Sequence, residues 1–222
     1  MAPTAWSFEI LAPKRIKSEV VTAYSEDVIL DIYNSIGVTA KIIFLSEYEI
    51  NSKIKSSKFD AILSKITDHG SIPHSLQLSP PLIKDYKVFR WTLKDVKIKK
   101  KRFKVGAIKG VLAHTKTVIE NRAKFKGIEY FKTYPKMLQA MKEKKIDSIL
   151  LSYEEYLTEF SEEMKAELDQ SPKVLLKTDL NHYINIKHQA IYEKLTAEFI
   201  KRDKVKKLNF NDFKKTFKSR NK

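Results

Sequence analysis

Apolar residues in this chain fall into short blocks separated by charged turns, and the blocks alternate between two spacings. Phe8 to Ala12, Lys41 to Leu45, Ala61 to Leu63, Lys104 to Ile108, Ile128 to Phe131 and Ser148 to Leu151 are brief runs suited to strands. Between them lie segments with helical spacing: Ser25 to Ile36, the stretch holding Ile50 and Ile54, Leu112 to Asn121, and the stretch holding Met137, Leu138 and Met141. Ser46 and Thr133 stand where two of these helices would begin and suit N-caps. Short strands alternating with helices predict an α/β fold with parallel sheets.

The pattern occurs twice. Ile54 to Leu63 lines up with Met141 to Leu150 at an offset of 87 residues, and the same offset pairs Phe44 with Phe131, Ser46 with Thr133 and Ile50 with Met137. Each copy reads strand, capped helix, Lys-apolar-Asp turn and buried strand, the crossover unit of a parallel sheet. Tyr86 to Thr92 and Val174 to Ile186 read as connecting strands, and helices near Gln189 to Lys201 and Asp212 to Lys218 close the chain. The expected fold is two similar lobes, each a mainly parallel sheet flanked by helices, joined by the two connecting strands. Residues 1–92 form lobe 1, residues 93–176 lobe 2, and residues 177–222 return to lobe 1 and add the last helices.

Composition narrows the function. The 222 residues are 42% apolar and 11% aromatic, enough for a packed interior and against intrinsic disorder. No stretch approaches the ~20 apolar residues of a membrane span. Without cysteine there is no disulfide, thiolate nucleophile or Cys-type zinc site. The net charge of +16 is concentrated: Lys97 to Lys104 holds six cations and no acid, and Lys201 to Lys222 carries a net +8. The other 192 residues sit at +2. Lysine dominates, which suits a solvated basic surface better than nucleic-acid readout, so no nucleic-acid partner is expected.

No catalytic constellation emerges. The five histidines lack metal-ligand spacing, Gly106-x-x-x-Gly110 lacks the Gly-Lys-Ser/Thr ending of a P-loop, and no Gly-x-Ser-x-Gly elbow occurs. The acid pairs Glu154-Glu155 and Glu162-Glu163 are expected as solvated charges on the polar side of one helix bearing Tyr156, Phe160 and Met164. No enzyme activity, metal or cofactor is expected. Phe210, Phe213 and Phe217 lie on one helical face and are expected to dock the last helix onto the body.

Four segments in order carry a resemblance: Lys58-Phe59-Asp60-Ala61, then Ser79-Pro80-Pro81, then Val105-Gly106-Ala107-Ile108-Lys109-Gly110, then Thr133 through Asp147. With these the chain resembles type II periplasmic solute-binding proteins, the amino-acid-binding-like family of ABC transporter receptors, as a divergent and compact member. The resemblance implies a monomeric two-lobed clamp whose connecting strands act as hinges. It implies a small ligand held in an interlobe cleft, delivery to a membrane transporter or sensor, and a periplasmic mature form with its signal removed. Three family anchors are altered: Ile72 stands for the carboxylate-gripping arginine, Val111 for a hydroxyl, and Ser152 for the acid that meets the ligand ammonium. These losses leave open an alternative, a degenerate fold serving as an interaction or scaffold module.

In such a clamp, ligands meet the carboxyl ends of strands. That geometry selects Arg15 after the first strand, Tyr48 after Leu45, and Lys65 and Thr67 after Leu63. In lobe 2 it selects Lys109, Gly110, Ser152 and Tyr153. The set is cationic and aromatic, which favours an acidic or phosphate-like small molecule. Ser152 also reads as an N-cap.

Overall fold

The computed structural model describes residues 7–14, 19–66, 72–94, 96 and 102–220. The chain opens with β1 (Phe8–Pro13), α1 (Glu19–Tyr24), a π-helical turn at Ser25–Leu30 and α2 (Asp31–Ser35), then β2 (Ala40–Leu45), α3 (Glu47–Lys55) and β3 (Ala61–Ile66). Next come β4 (Ser75–Gln77), β5 (Ile83–Leu93), β6 (Phe103–Ile108), α4 (Leu112–Glu120), β7 (Phe125–Phe131), α5 (Tyr134–Lys142) and β8 (Ser148–Ser152). The chain closes with α6 (Tyr153–Glu159), α7 (Glu162–Ala166), β9 (Leu168–Asn185), α8 (Gln189–Lys204) and α9 (Phe210–Arg220). It divides into two compact units, residues 1–84 with 179–222, and residues 85–178. The crossings fall inside β5 and β9.

In the first unit β1 lies between β2 and β3, parallel to both, and β9 pairs antiparallel with β3 and β4. β1 is buried on both faces, as a parallel strand between helical layers must be. Phe8, Ile10 and Ala12 join a cluster with Tyr24, Ile29, Ile32, Leu195 and Phe199. Leu11 faces the other way, into Ile50, Ile54, Phe59, Ile62 and Ile72. The first helix starts at Glu19 rather than Ser25, and the π-helical turn explains its register. Buried Tyr24, Val28 and Ile32, like Ser25, Ile29 and Tyr33, recur every four positions, a spacing that drifts off one face of a 3.6-residue helix. The wider turn returns both series to the core. The aromatic stripe of α9 docks as expected, with Phe210 and Phe213 packed edge-on against Tyr24 at 5.1 and 5.4 Å. The Tyr24 hydroxyl donates to the Leu208 carbonyl at 2.6 Å.

In the second unit β6 lies between β7 and β8, parallel to both, and β5 pairs antiparallel with β8. The single helix expected around Tyr156, Phe160 and Met164 is two helices. Phe160 leaves the helical path to be buried, and the Ser161 hydroxyl accepts from the Met164 N–H to begin α7. Gly106 sits where α5 presses on the sheet: a Cβ there would meet Ile146 Cδ1 at 2.6 Å and Met137 Cγ at 2.9 Å.

The repeat is real at the level of single hydrogen bonds. Asp60 Oδ2 accepts from the Glu9 N–H at 3.1 Å, and Asp147 Oδ2 accepts from the Lys104 N–H at 2.8 Å. In each unit a carboxylate before the third strand ties down the start of the central one. α3 and α5 stop in the same way, at left-handed Ser57 (φ 53°) and Lys144 (φ 59°), 87 residues apart. In both cases the next two N–H groups turn back onto the last carbonyls: Ser57 to Ile54 and Lys58 to Lys53, Lys144 to Met141 and Lys145 to Ala140. Only the starts differ. Ser46 forms a full capping box with Glu49, whereas Thr133 makes no side-chain cap and α5 opens on Pro135 in its first turn.

Two expectations follow. Gly106→Ala overpacks the α5 contact and lowers unfolding free energy in urea by about 2 kcal/mol. Gly127→Ala, whose new Cβ would meet only the flexible Lys104 side chain at 3.5 Å, leaves it within about 0.5 kcal/mol of the parent. The second concerns His182, fully buried on β9, whose Nδ1 donates to the Leu63 carbonyl while Nε2 accepts from the Tyr33 hydroxyl. Burial pushes its pKa down to about 4 from an ordinary 6.5. Between these values the unfolded chain binds a proton that the folded chain refuses. Stability therefore falls as pH drops through that window, by about 3 kcal/mol in all. Denaturant titrations at stepped pH should show this slope, and His182→Gln should remove it.

Candidate functional site

Parallel pairing puts the carboxyl ends of β1, β2 and β3 on one side of the first unit, and those of β6, β7 and β8 on one side of the second. In the first unit, Tyr48 is the second residue of α3 and stands 83% exposed just beyond the Ser46 cap. Lys65, near the end of β3, donates from Nζ to Asn51 Oδ1 at 3.0 Å. Asn51 lies one helical turn after Tyr48, so the structure brings Lys65 to the helix face that bears Tyr48. Arg15 and Thr67 lie outside the described residues.

In the second unit, Lys109 and Gly110 are the middle of a tight turn closed by the Val111 N–H on the Ile108 carbonyl. Gly110 takes φ +86°, the left-handed conformation that this turn demands at its third residue. Lys109 is exposed and its backbone N–H is held by the Phe131 carbonyl, at the end of β7. β6 and β8 pair with Val105 opposite Ser148 and Gly106 opposite Ile149. Carried forward, that register sets Lys109 level with Ser152. The structure thus gathers Lys109, Gly110, Ser152 and Tyr153 at one end of one sheet.

Beneath them is a polar network that sequence reasoning missed. Glu155, expected in solvent, is buried among residues of α4, α5 and the end of β8. Its Oε2 accepts from the Ser152 N–H at 2.7 Å and from His114 Nε2 at 3.1 Å, and its Oε1 accepts from the Tyr134 hydroxyl at 2.9 Å. His114 Nδ1 accepts the Ile108 N–H at 3.0 Å. That bond places the ring proton on Nε2, so His114 is a neutral imidazole donating to a carboxylate. The carboxyl end of β6, the start of α5 and the start of α6 are thereby tied to one carboxylate. The Ser152 hydroxyl is committed as well: it accepts from the Glu155 N–H, completing a capping box, and Ser152 is fully buried.

Tyr153, next in sequence, is half exposed. Its ring stacks on Tyr156 at 6.0 Å, and Tyr156 stacks on buried Trp91 at 4.3 Å and 17°. Trp91 is pinned by its indole N–H on the Leu151 carbonyl. Tyr153 is therefore the outermost ring of a fixed pile.

Among the described residues no cluster of three His, Asp or Glu groups could hold a metal. An open hollow of about 510 Å³ lies at the opposite end of the first sheet, lined by Glu9, Lys41, Lys58, Asp60 and Lys187. Its charges largely satisfy one another, through Lys41–Glu9 at 3.1 Å and Lys187–Asp60 at 3.0 Å.

Removing one donor to Glu155 tests the network. Tyr134→Phe is expected to cost about 2 kcal/mol in a urea titration. Glu155→Ala, which strands the Ser152 N–H, the His114 N–H and the Tyr134 hydroxyl, is expected to cost about 3–5 kcal/mol. Nitrogen-15 imidazole spectra should report the Nε2–H tautomer of His114 in the parent.

The sequence matches no protein-family model and no curated protein. Solved structures do share its fold. An arginine 3rd transport system periplasmic binding protein from Legionella pneumophila is 14% identical, with 90% of this chain and 94% of that one aligned at a TM-score of 0.66. Tv2483 bound to L-arginine is 10% identical over 95% and 89% of the two chains, with a TM-score of 0.72. The probable amino-acid ABC transporter extracellular-binding protein ytmK from Bacillus subtilis is 11% identical over 91% and 94%, with a TM-score of 0.69. The two repeated units, their parallel sheets and these likenesses together give the chain the α/β fold of type II periplasmic, amino-acid-binding proteins.

Proposed function

We propose that this chain is a solute-binding receptor that captures one small anionic molecule on strand-end residues and passes it to a membrane transporter or sensor. The observation that carries the reading is the duplicated strand–helix–strand unit with its identical carboxylate tie, in a fold whose solved neighbours are binding proteins rather than enzymes. Those neighbours are described as periplasmic or extracellular, which favours work outside the cytoplasmic membrane.

Tv2483 was solved with L-arginine. A free amino acid would need one charged partner for its ammonium and another for its carboxylate, since a buried unpaired charge costs several kcal/mol. Here Ile72 and Val111 are apolar and packed inward, and the Ser152 hydroxyl is committed to its helix. Groups still exposed at the strand ends are the Lys109 ammonium beside the Gly110 turn, and the rings of Tyr48 and Tyr153. These suit an organic acid or phosphate-like solute. The proposed contacts are Arg15, Tyr48, Lys65, Thr67, Lys109, Gly110 and Tyr153, with Ser152 acting as the cap that holds Tyr153 in place.

A thermal-shift screen over amino acids, organic acids, nucleosides and inorganic phosphates tests this. At about 100 times its Kd a true solute adds about 2.7 kcal/mol, a rise in Tm of roughly 5–10 °C for a chain of this size. Lys109→Ala should weaken the response to the anion. Silence across the whole screen overturns capture. A response to zwitterionic amino acids alone, untouched by Lys109→Ala, overturns the anionic assignment.

A further inference from the structure

We propose that the tip formed by the end of α8 and the turn after it, Ile200 to Lys207, is a contact surface for an anionic lipid bilayer. This segment holds Lys201, Arg202, Lys204, Lys206 and Lys207 against Asp203 alone. Three of these charges are matched: Arg202 pairs with Asp31 at 2.6 Å and Glu198 at 3.0 Å, exposed Lys201 with Glu198 at 3.2 Å, and Asp203 with Lys84 at 3.0 Å. Lys204, Lys206 and Lys207 point to solvent and pair with no described acid. Among them stand two aliphatic side chains, Ile200 at 44% and Val205 at 59% exposure. Ile200 precedes Lys204 by one turn on the same helix face.

Cations in the last turn of a helix complement its dipole, which accounts for Lys201 and Lys204. It accounts neither for Lys206 and Lys207, which lie past the helix end, nor for the exposed aliphatics between them. The turn is also fixed. Lys206 takes φ +57°, with its N–H on the Asp203 carbonyl at 3.0 Å, and the Lys207 N–H reaches the Arg202 carbonyl at 2.9 Å. The next residue, Leu208, is fully buried, and its carbonyl accepts the Tyr24 hydroxyl. Held at both ends, the tip presents its lysines and aliphatics on a backbone that needs no ordering on contact.

Lysines ringing exposed aliphatics are the chemistry of a lipid interface: ammonium groups meet the anionic headgroups while the apolar side chains enter the headgroup boundary. A single-stranded nucleic acid would draw on exposed aromatics for stacking, and residues 200–207 contain none. Among the described residues no helix is long and apolar enough to cross a membrane. The contact is independent of the solute reading above.

Co-sedimentation of the full chain with phosphatidylglycerol-containing vesicles, against pure phosphatidylcholine, tests the proposal. The expected result is binding to the anionic vesicles that high salt abolishes. Combining Lys204→Gln, Lys206→Gln and Lys207→Gln should weaken it about 100-fold at unchanged Tm. Ile200→Ser with Val205→Ser should weaken it several-fold at fixed salt. Equal binding to both vesicle types, no binding to either, or full binding by the triple lysine variant overturns the proposal. So does a DNA oligonucleotide that binds the parent as tightly as the anionic vesicles do.

Discussion

Each unit of this protein is arranged around one parallel strand buried on both faces, with a strand paired on either edge. β1 and β6 each have a parallel neighbour on either side, and their side chains are buried in alternate directions. Near its start each such strand has an amide, that of Glu9 or of Lys104, whose hydrogen bond goes to a side chain. Asp60 and Asp147 supply the acceptors. Each comes from the turn before the third strand, so the bond that satisfies the central strand also fixes the crossover beside it. A shared direction for three strands then collects their carboxyl ends, and the loops that leave them, on one side.

Much of this was legible because it is written in local chemistry. The Lys-apolar-Asp turns, the Ser46 cap and the offset of 87 residues all reflect short-range requirements that fall at fixed places in the sequence. The roles of Gly106 and Gly110 emerge only in the fold: one is required by the close approach of Met137 and Ile146, the other by a left-handed turn. The stripe of Phe210 and Phe213 also kept its meaning, since a helix this cationic has one apolar side to bury.

What escaped depends on partners distant in sequence. Glu155 sits in an acid pair on a seven-residue helix and has no local mark of burial. Its environment is made by His114, 41 residues away, and Tyr134, 21 residues away. His182 likewise owes its neutral state to burial, and the partners that enclose it, Tyr33 and Leu63, lie 149 and 119 residues away. The break between α6 and α7 follows from the burial of Phe160, which helical periodicity could not distinguish from an ordinary core position. A period of four in Tyr24, Val28 and Ile32 was visible in the letters, yet its consequence, a π-helical turn, appears only when the core forces one face to stay inward.

The candidate site is therefore best understood by subtraction. At the strand ends of the second unit stand four polar side chains: Ser152, which the sequence offers as a ligand contact, and Glu155, His114 and Tyr134, which it does not. The fold uses all of them on one another, tying the loop after β6 to the starts of α5 and α6. A carboxylate that accepts bonds from an amide, an imidazole and a phenol is a poor partner for a ligand ammonium, since binding would first have to break interactions worth more than a typical surface ion pair. What remains for a ligand is the residue type that sits beyond the network, a lysine on a glycine turn and an aromatic ring braced from behind. The same logic holds at the far end of α8, where Arg202 and Lys201 are paired and Lys204, Lys206 and Lys207 pair with no described acid. In both places, the proposed recognition would fall to the groups that the interior left unused.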